Sequence, residues 1–436
     1  STIDGQILLS GSSINQKSQQ VSTDNKQSYR GYDYHVVKLD QQGNNVWDKY
    51  FGGTKHDYLM SSIATKEGGF LLAGTSFSSQ SGDKKENNVG GSDIWLVRLD
   101  ENGEELWQKT LGTKSNDEAS SVVQSLDEGF FVAGNINSNK QLFGSKDVFV
   151  SKLDKGGKLI NTTILGGKGL DEVQEMIPAK DGGAVVLIYS TSGKTENISP
   201  SKDENDFQNK APQSSNNSQG NQPKENHGIN ILDSHSSSDN KNGQPTTINY
   251  QPKSEDGFGA GDYWIVKLDK NANVEWQKTY GGSDDDRPKT IALTQNGYLI
   301  SGESRSSSSG NKKENIKEGT DLWIINIDER GNEIWQKNYS FRNRDVAMSL
   351  NVIRRTNKKN QTEDRGFLIG GYTQAEEKIQ TDDEKFWMLY IDATGKEEWR
   401  KHVEGKAKKK EERLVSAKLQ NDGTFLLAGT SAEELG

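Results

Sequence analysis

Apolar and polar residues alternate along short runs of this chain, and the runs recur at regular intervals. Residues 262–282 read DYWIVKLDKNANVEWQKTYGG, which is two alternating segments joined by a polar turn and closed by a glycine pair. Alternation with a period of two predicts β-strands, and two such strands joined by a short connection predict a hairpin. The pattern returns as DIWLVRLDENGEELWQKTLG at 93–112 and as DLWIINIDERGNEIWQKNY at 321–339. The chain is therefore predicted to repeat one β-unit.

A second apolar run precedes each hairpin, for example GFLLAGTS at 69–76 and GYLISGES at 297–304. A further predicted strand precedes that run. Each unit therefore contains four predicted strands, which we name A to D in chain order. The repeat length follows from the aspartates that end strand C, which are Asp40, Asp100, Asp154, Asp269, Asp328 and Asp392. Their spacings are 60, 54, 115, 59 and 64 residues. Four strands in ~50–60 residues match the blade of a β-propeller.

We therefore predict an all-β fold, a β-propeller of four-stranded antiparallel blades that forms a single domain over residues 1–436. The sequence carries six C–D hairpins, seven B strands and six A strands. These numbers leave two arrangements open, six blades or, if the sequence is a fragment, seven.

The one long spacing contains an extra segment, residues 194–257, which is rich in Asn, Ser, Gln and Lys. It holds five of the seven prolines of the chain. Such a composition buries too little apolar surface to offset the entropy of ordering. We predict a low-complexity flexible loop inserted between strands B and C of one blade.

The composition and net charge of the chain exclude several classes of function. Only 30% of the residues are apolar, 27% are charged, and the net charge is −9, so no nucleic-acid partner is expected. No apolar run approaches the ~18–20 residues of a membrane span. The chain has no cysteine, which excludes disulfides, thiolate nucleophiles and cysteine metal sites.

The repeated tryptophans and turn aspartates are read as structural. All nine tryptophans fall at two positions of the repeat, early in strand C and within strand D, which predicts packing between blades rather than sugar stacking. An Asp-x-x-Gly sequence after strand C predicts a type I turn. The turn at Asp269 departs from this pattern with Ala272, and Asn271 or Asn273 is expected to adopt the left-handed conformation there.

Strands of alternating direction place the variable B–C and D–A connections at one end of the sheets, where binding residues are expected. Two groups of acidic residues on this face are candidate sites for calcium or another cation. One group lies in the sequence SGDKKENNVGGSD at 81–93, which recurs at 309–321 and begins again at 192–197, and comprises Asp83, Glu86 and Asp93. The other precedes strand A and is expected to ring a central channel; it comprises Asp57, Asp117, Asp171, Asp285, Asp345 and Glu412. We favour solvated loops for the first group and hydrogen bonds to strand A for the second, with no cofactor.

No catalytic signature appears in the sequence. The five histidines show no metal-ligand spacing, and no GxSxG, P-loop or dinucleotide motif occurs. The near-equivalence of the units argues against an enzyme. The alternative is an extracellular hydrolase or lyase of propeller fold acting on polysaccharides, because a pair of carboxylates among 63 acidic residues would suffice.

The pattern D-x-W-[IVL]-V-K-L-D-x-x-G-x-x-x-W-x-K-x-x-G-G, followed by D-G-G-[FY]-L-L-A-G-T-S, resembles tandem propeller repeats of secreted and cell-surface proteins. These repeats are common in Bacteroidota and are associated with type 9 secretion. The resemblance covers the chain except residues 194–257. It implies an extracytoplasmic protein, secreted or at the outer-membrane surface, that acts as a non-catalytic scaffold for a protein or glycan partner.

Overall fold

A computed structural model describes residues 5–15, 31–137, 142–196, 247–341, 344–374, 385–403, 412–419 and 423–431. These residues form 26 β-strands and no helix, so the all-β prediction is confirmed. Within the described ranges, accordingly, no helix has the length and apolar character of a membrane span. The chain divides into two units, one with Thr2–Gly166 and Glu196–Pro252, the other with Gly167–Thr195 and Lys253–Gly436. The prediction of one domain over residues 1–436 stays a prediction.

The N-terminal unit contains three antiparallel sheets. The first has the order β1-β2-β3, with Ile7–Ile14, Tyr32–Leu39 and Asn45–Phe51. The second is the four-stranded meander β4-β5-β6-β7, with Asp57–Ala64, Phe70–Ser76, Asp93–Leu99 and Glu105–Leu111. The third is the meander β8-β9-β10-β11, with Asn116–Gln124, Phe130–Asn137, Asp147–Leu153 and Leu159–Gly166, to which β14 (Thr247–Pro252) adds a fifth, parallel strand.

The C-terminal unit contains three four-stranded meanders and a two-stranded sheet. The first meander has β12 (Asp171–Pro178), β13 (Ala184–Ser190), β15 (Asp262–Leu268) and β16 (Val274–Tyr280). The second has β17 to β20, at Asp286–Leu293, Gly297–Ser304, Asp321–Asp328 and Glu333–Tyr339. The third has β21 to β24, at Arg344–Thr356, Thr362–Gln374, Lys385–Asp392 and Glu397–Val403. The last sheet pairs β25 (Glu412–Leu419) with β26 (Phe425–Ser431).

Strands B and C are central in each meander and are buried along their whole length in β5, β6, β18 and nearly all of β19. This burial explains why these runs are almost continuously apolar, since both faces of a central strand contact another sheet. The same aromatic contact joins consecutive sheets in both units. Tyr34 packs on Trp95 with 4.9 Å between ring centres, and Tyr263 packs on Trp323 at the same distance. The four-stranded meander that buries aromatics against the next one is the repeating unit of propeller-like folds.

The tryptophans of strand D join consecutive sheets through a hydrogen bond. The indole N–H of Trp47 donates to the carbonyl of Glu101, at 3.1 Å, in the C–D turn of the next sheet. Trp276 makes the same bond to Glu329, also at 3.1 Å. Both tryptophan positions are therefore structural, as the repeat predicted.

The C–D turn after Asp269 differs from the expectation. Ala272 itself adopts the left-handed conformation, with φ of 64°, where the other turns have glycine. Neither asparagine takes that role. The backbone N–H groups of Asn271 and Asn273 donate to the Asp269 carboxylate, each at 2.8 Å, as the equivalent N–H groups do in the turns with glycine, for example at Asp100.

The structure also differs from the expected loop at residues 194–257. Thr247–Pro252 forms strand β14, because it finds the free edge of β11 and pairs with it in parallel. The N–H of Thr195 donates to the carbonyl of Lys253 at 2.9 Å, as Ser81 does to Lys84 in an uninterrupted repeat. The insert therefore replaces the two turn residues Gly82 and Asp83, and most of it, residues 197–246, lies outside the described residues. This register aligns Thr195 with Ser81, so the apparent repeat start at 192 is displaced by three positions.

Candidate functional site

In the five four-stranded meanders, the end that carries the B–C and D–A connections is organised by an aspartate at the start of strand A. Its carboxylate accepts a hydrogen bond from the backbone N–H four residues earlier, in the D–A connection. This bond is 2.8 Å from Gly53 to Asp57 and 2.7 Å from Gly167 to Asp171. It recurs at Asp117, Asp286 and Asp345. These aspartates are fully buried, and they hold the D–A connection rather than strand A itself.

A hydroxyl from the segment after strand B completes the arrangement in three repeats. Ser78 donates to Asp57, Ser192 to Asp171 and Ser306 to Asp286, each at 2.9 Å. In the repeat of Asp117, the hydroxyl of Thr113 takes this place. In the three repeats with a serine, the D–A and B–C connections are thereby tied to one carboxylate.

A second aspartate, at the start of strand C, holds the B–C connection in the same way. Asp93 accepts from the N–H of Val89 at 2.5 Å, and Asp262 accepts from that of Phe258 at 2.9 Å. Asp147 and Asp321 repeat the bond four residues back. The sequence indicated a solvated loop at Asp93, with a cation site as the alternative, and no role was predicted for the other strand-C aspartates.

The glycine pair at the end of strand D is required because the strand-C aspartate and the serine after strand B leave no room for a Cβ atom. A Cβ on Gly281 would lie 1.7 Å from the Oδ1 atom of Asp262, and a Cβ on Gly282 would lie 2.4 Å from the Cβ of Ser306. The same clashes occur at Gly52 with Asp33 and at Gly53 with Ser78. The repeated Gly-Gly is therefore a steric condition for the paired aspartates.

A lysine from the B–C connection is buried beside the two aspartates of its own sheet in three repeats. These lysines are Lys84, Lys253 and Lys312, each nine residues before the strand-C aspartate. Burial lowers the pKa of Lys84 and of Lys312 to about 8, against the opposing attraction of nearby carboxylates. Lys253 shows the same direction. A single buried ammonium group thus supplies the positive charge opposite two carboxylates.

The strand-A aspartate of the second meander of the C-terminal unit, β17 to β20, is Asp286, not Asp285 as predicted from the sequence. Asp286 is buried and accepts from Gly282, whereas Asp285 binds the Tyr189 hydroxyl at 2.7 Å and Arg287 at 2.6 Å. The signal that identifies Asp286 is spacing. Each strand-C aspartate stands 24 residues before the next strand-A aspartate, as in the pairs Asp33–Asp57, Asp93–Asp117, Asp147–Asp171, Asp262–Asp286 and Asp321–Asp345.

The remaining cation candidates also bind backbone groups. Asp83 accepts from the N–H of Gly52 at 3.1 Å, and Glu86 accepts from that of Thr110 at 2.5 Å. Within the described ranges, no three His, Asp or Glu side chains converge as metal ligands. The expectation of no cofactor, with calcium as the alternative at these residues, stays a prediction, as does the role of Glu412, whose side chain lies outside the described part of the chain.

The side chains next to the paired aspartates differ from repeat to repeat. We call four places in each repeat the tip positions: the residues just before the strand-A and strand-C aspartates, just after the strand-A aspartate, and just after strand B. In the N-terminal unit they bring together four aromatic rings, with 5.7 Å between Tyr32 and Tyr58 and 5.5 Å between His56 and Tyr58. Phe77 meets Tyr58 edge-on at 6.3 Å and is 38% exposed.

In the C-terminal unit the same positions form a charged cavity of about 170 Å³ between the second and third meanders. Its lining residues are Asp285, Arg287, Glu303, Arg305, Thr320 and Arg344. Five of them occupy tip positions, and Glu303 is the penultimate residue of β18. A fixed frame of buried aspartates therefore presents aromatic side chains in one unit and arginines in the other.

No protein family description matches the chain, and no curated protein sequence is similar to it. Solved structures with a related arrangement of strands include the WD40 domain of Pan2 from Neurospora crassa. That domain is 7% identical over 96% of this chain and 85% of its own, with a TM-score of 0.44.

Two other solved structures are similar at the same level. A protein of unknown function from Bacteroides caccae is 14% identical over 70% of this chain and 90% of its own, with a TM-score of 0.25. A variant of the Synechocystis apocarotenoid oxygenase is 12% identical over 92% and 72%, with a TM-score of 0.40. The propeller-like class of the fold rests on the strands and their pairing rather than on these likenesses.

Proposed function

We propose that this protein is a non-catalytic β-propeller that binds a protein or glycan partner through its tip positions. The observation that carries this proposal is that structural residues and variable side chains lie next to each other at one end of the sheets. Buried aspartates, glycines and lysines recur there with fixed spacing, while the side chains beside them change from aromatic to charged. A rigid frame with variable neighbours is how scaffolds display binding residues.

The blade number and the location belong to the same proposal. The proposed propeller has six blades, which the six C–D hairpins support. A secreted or outer-membrane surface protein, of the kind that type 9 secretion exports in Bacteroidota, is supported by the repeat resemblance. A role in binding is supported by the tip positions, which carry exposed aromatic and arginine side chains, the residue types most enriched at interaction hot spots.

Site-specific photo-cross-linking tests the proposal. A photoreactive residue replaces Phe77 or Arg305 at tip positions, and Asn102 or Arg330 in C–D turns at the opposite end of the sheets serves as the matched control. The labelled proteins are offered to the surface of the producing cells. The proposal expects cross-links from the two tip positions and none from the two turns. Cross-links that form equally from both ends, or from the turns alone, overturn it.

A further inference from the structure

The arginine-lined cavity of the C-terminal unit contains hydrogen-bond donors and acceptors that have no partner in the described part of the protein. Two of its arginines are already paired. Arg287 binds Asp285 through Nε at 2.6 Å and stacks on Tyr189, and Arg344 binds Glu303 through Nε and Nη2 at 3.3 Å. The two carboxylates therefore neutralise two of three arginines.

Arg305 is the third arginine, and its side chain is exposed. Its backbone N–H donates to the carbonyl of Asp285, which fixes the start of the side chain beside the cavity. Its guanidinium group has no partner among the described residues. An unpaired guanidinium with a planar set of donors favours a carboxylate, which it binds through two parallel hydrogen bonds.

Two side chains of the lining are buried and have a polar atom without a hydrogen-bond partner in the described ranges. Glu303 is 3% exposed and Thr320 is 1% exposed, and the atoms are Oε1 of Glu303 and Oγ1 of Thr320. A buried polar atom of this kind costs free energy until a ligand or water satisfies it. Glu303 Oε1 requires a donor, and the excess positive charge of the lining disfavours an ammonium group. A neutral hydroxyl group is the donor that fits.

We propose that this cavity binds a sugar that carries a carboxylate, a uronic acid, with the carboxylate on Arg305 and hydroxyl groups on Glu303 and Thr320. The inference rests on the proposed binding function and names the ligand class of one of its sites. The volume is below the ~300–1,000 Å³ of pockets that enclose a drug-sized ligand. The cavity therefore takes one sugar residue of a longer acidic glycan.

Isothermal titration with D-galacturonate tests the inference, with D-galactose and inorganic phosphate as the comparison ligands. Galacturonate is expected to bind, galactose to bind at least roughly tenfold more weakly because it lacks the carboxylate, and phosphate to bind more weakly than galacturonate because it fills no hydroxyl site. Arg305→Ala is expected to weaken galacturonate binding roughly tenfold. Arg330→Ala, which removes the same charge at the other end of the same sheet, is expected to leave it unchanged.

Thr320→Val gives a second readout that does not depend on charge. It replaces an unpartnered buried hydroxyl with a methyl group of the same shape, so the unfolding midpoint is expected to stay or rise, while galacturonate binding weakens roughly fivefold. Equal binding of galactose, tighter binding of phosphate, or an Arg305→Ala protein that binds galacturonate as tightly as the wild type overturns the inference. If galacturonate fails to bind while tip-position cross-links persist, the ligand class is wrong and the proposed function stands.

Discussion

Burial, and after it the negative charge of Asp93, raises the pKa of the Asp117 carboxyl, although the two aspartates begin strands of two consecutive sheets. Both groups are fully buried. Two buried carboxyl groups of like charge that act on each other do not both ionise readily, so one of them keeps its proton to a higher pH. Burial raises the pKa of both, and the pair holds this proton near neutral pH. The frame of the tip positions is therefore linked to pH.

The free energy of unfolding is expected to depend on the proton of this pair. A pKa raised in the folded state means that the folded protein binds more protons than the unfolded one, so stability is present at low pH and is lost as pH rises through the folded pKa. Asp117→Asn keeps a donor and an acceptor but does not titrate. Between pH 5 and pH 9, its unfolding free energy is expected to rise relative to that of the wild type, measured by urea titration at each pH.

Asp269→Asn provides the control for this pH series. Burial alone would raise the pKa of Asp269, but hydrogen bonds from Asn273 and Asn271 hold it below its usual value. A lowered pKa changes stability only in acid, so the difference from the wild type is expected to stay constant between pH 5 and pH 9. Parallel curves for Asp117→Asn and the wild type would show that the Asp93–Asp117 pair does not hold a proton.

Gly281→Ala is expected to lower the free energy of unfolding by about 1–3 kcal/mol, because its Cβ would collide with the Asp262 carboxylate. Gly193→Ala is the matched control in the same unit, since a Cβ there meets no atom within 4 Å. Urea unfolding of the two variants measures the difference. A Gly281→Ala protein as stable as the control contradicts the steric account of the glycine pair.

Glu128 occupies a turn position that requires a left-handed backbone, with φ of 64°, where Gly182 stands in the equivalent turn of another repeat. Glu128→Gly is expected to raise the free energy of unfolding by about 1 kcal/mol because glycine adopts this conformation without strain. The same substitution at Glu101, whose backbone is not left-handed, is expected to lower it. Thermal unfolding measures the change in unfolding temperature of both variants. Equal changes in the same direction would refute the explanation by backbone conformation.

Replacing Glu196–Pro252 by Gly-Asp, the turn sequence of residues 82–83, tests the register of the insert. The turn from Thr195 to Lys253 is expected to close, because Ser81 and Lys84 are joined in that way. Loss of β14 exposes the edge of β11, which is expected to promote self-association. Size-exclusion chromatography and thermal unfolding measure the two effects. A monomer with an unfolding temperature far below that of the wild type would contradict the turn equivalence.

Much of the fold follows from the sequence because alternation, turn residues and repeat length are local signals. The strands of the repeat, the structural tryptophans and the C–D turns were predictable, except that the left-handed residue of the turn after Asp269 is Ala272. Asp286 was missed because three aspartates stand together at 284–286, and only the 24-residue spacing separates the structural one from its neighbours. The buried Lys253 could have been found from its nine-residue spacing to Asp262.

The charged cavity could not be predicted from the sequence, because its residues come from distant parts of the chain. Arg305 and Arg344 lie 39 residues apart in the chain and on two different sheets, so no local pattern relates them. Whether an arginine is paired depends on the approach of another sheet. The unpartnered atoms of Glu303 and Thr320, which point to a ligand, are visible only once the sheets are packed.

Retention of polygalacturonate without cleavage tests the central claim most directly, because it measures binding and turnover on one ligand. The immobilised wild-type protein is incubated with the polysaccharide, and the retained amount and chain length are measured, with Arg305→Ala and Arg330→Ala in parallel. The account predicts that the wild type and Arg330→Ala retain the polymer at unchanged length and that Arg305→Ala retains much less. Shortened chains, or retention that is equal in the two variants, would contradict it.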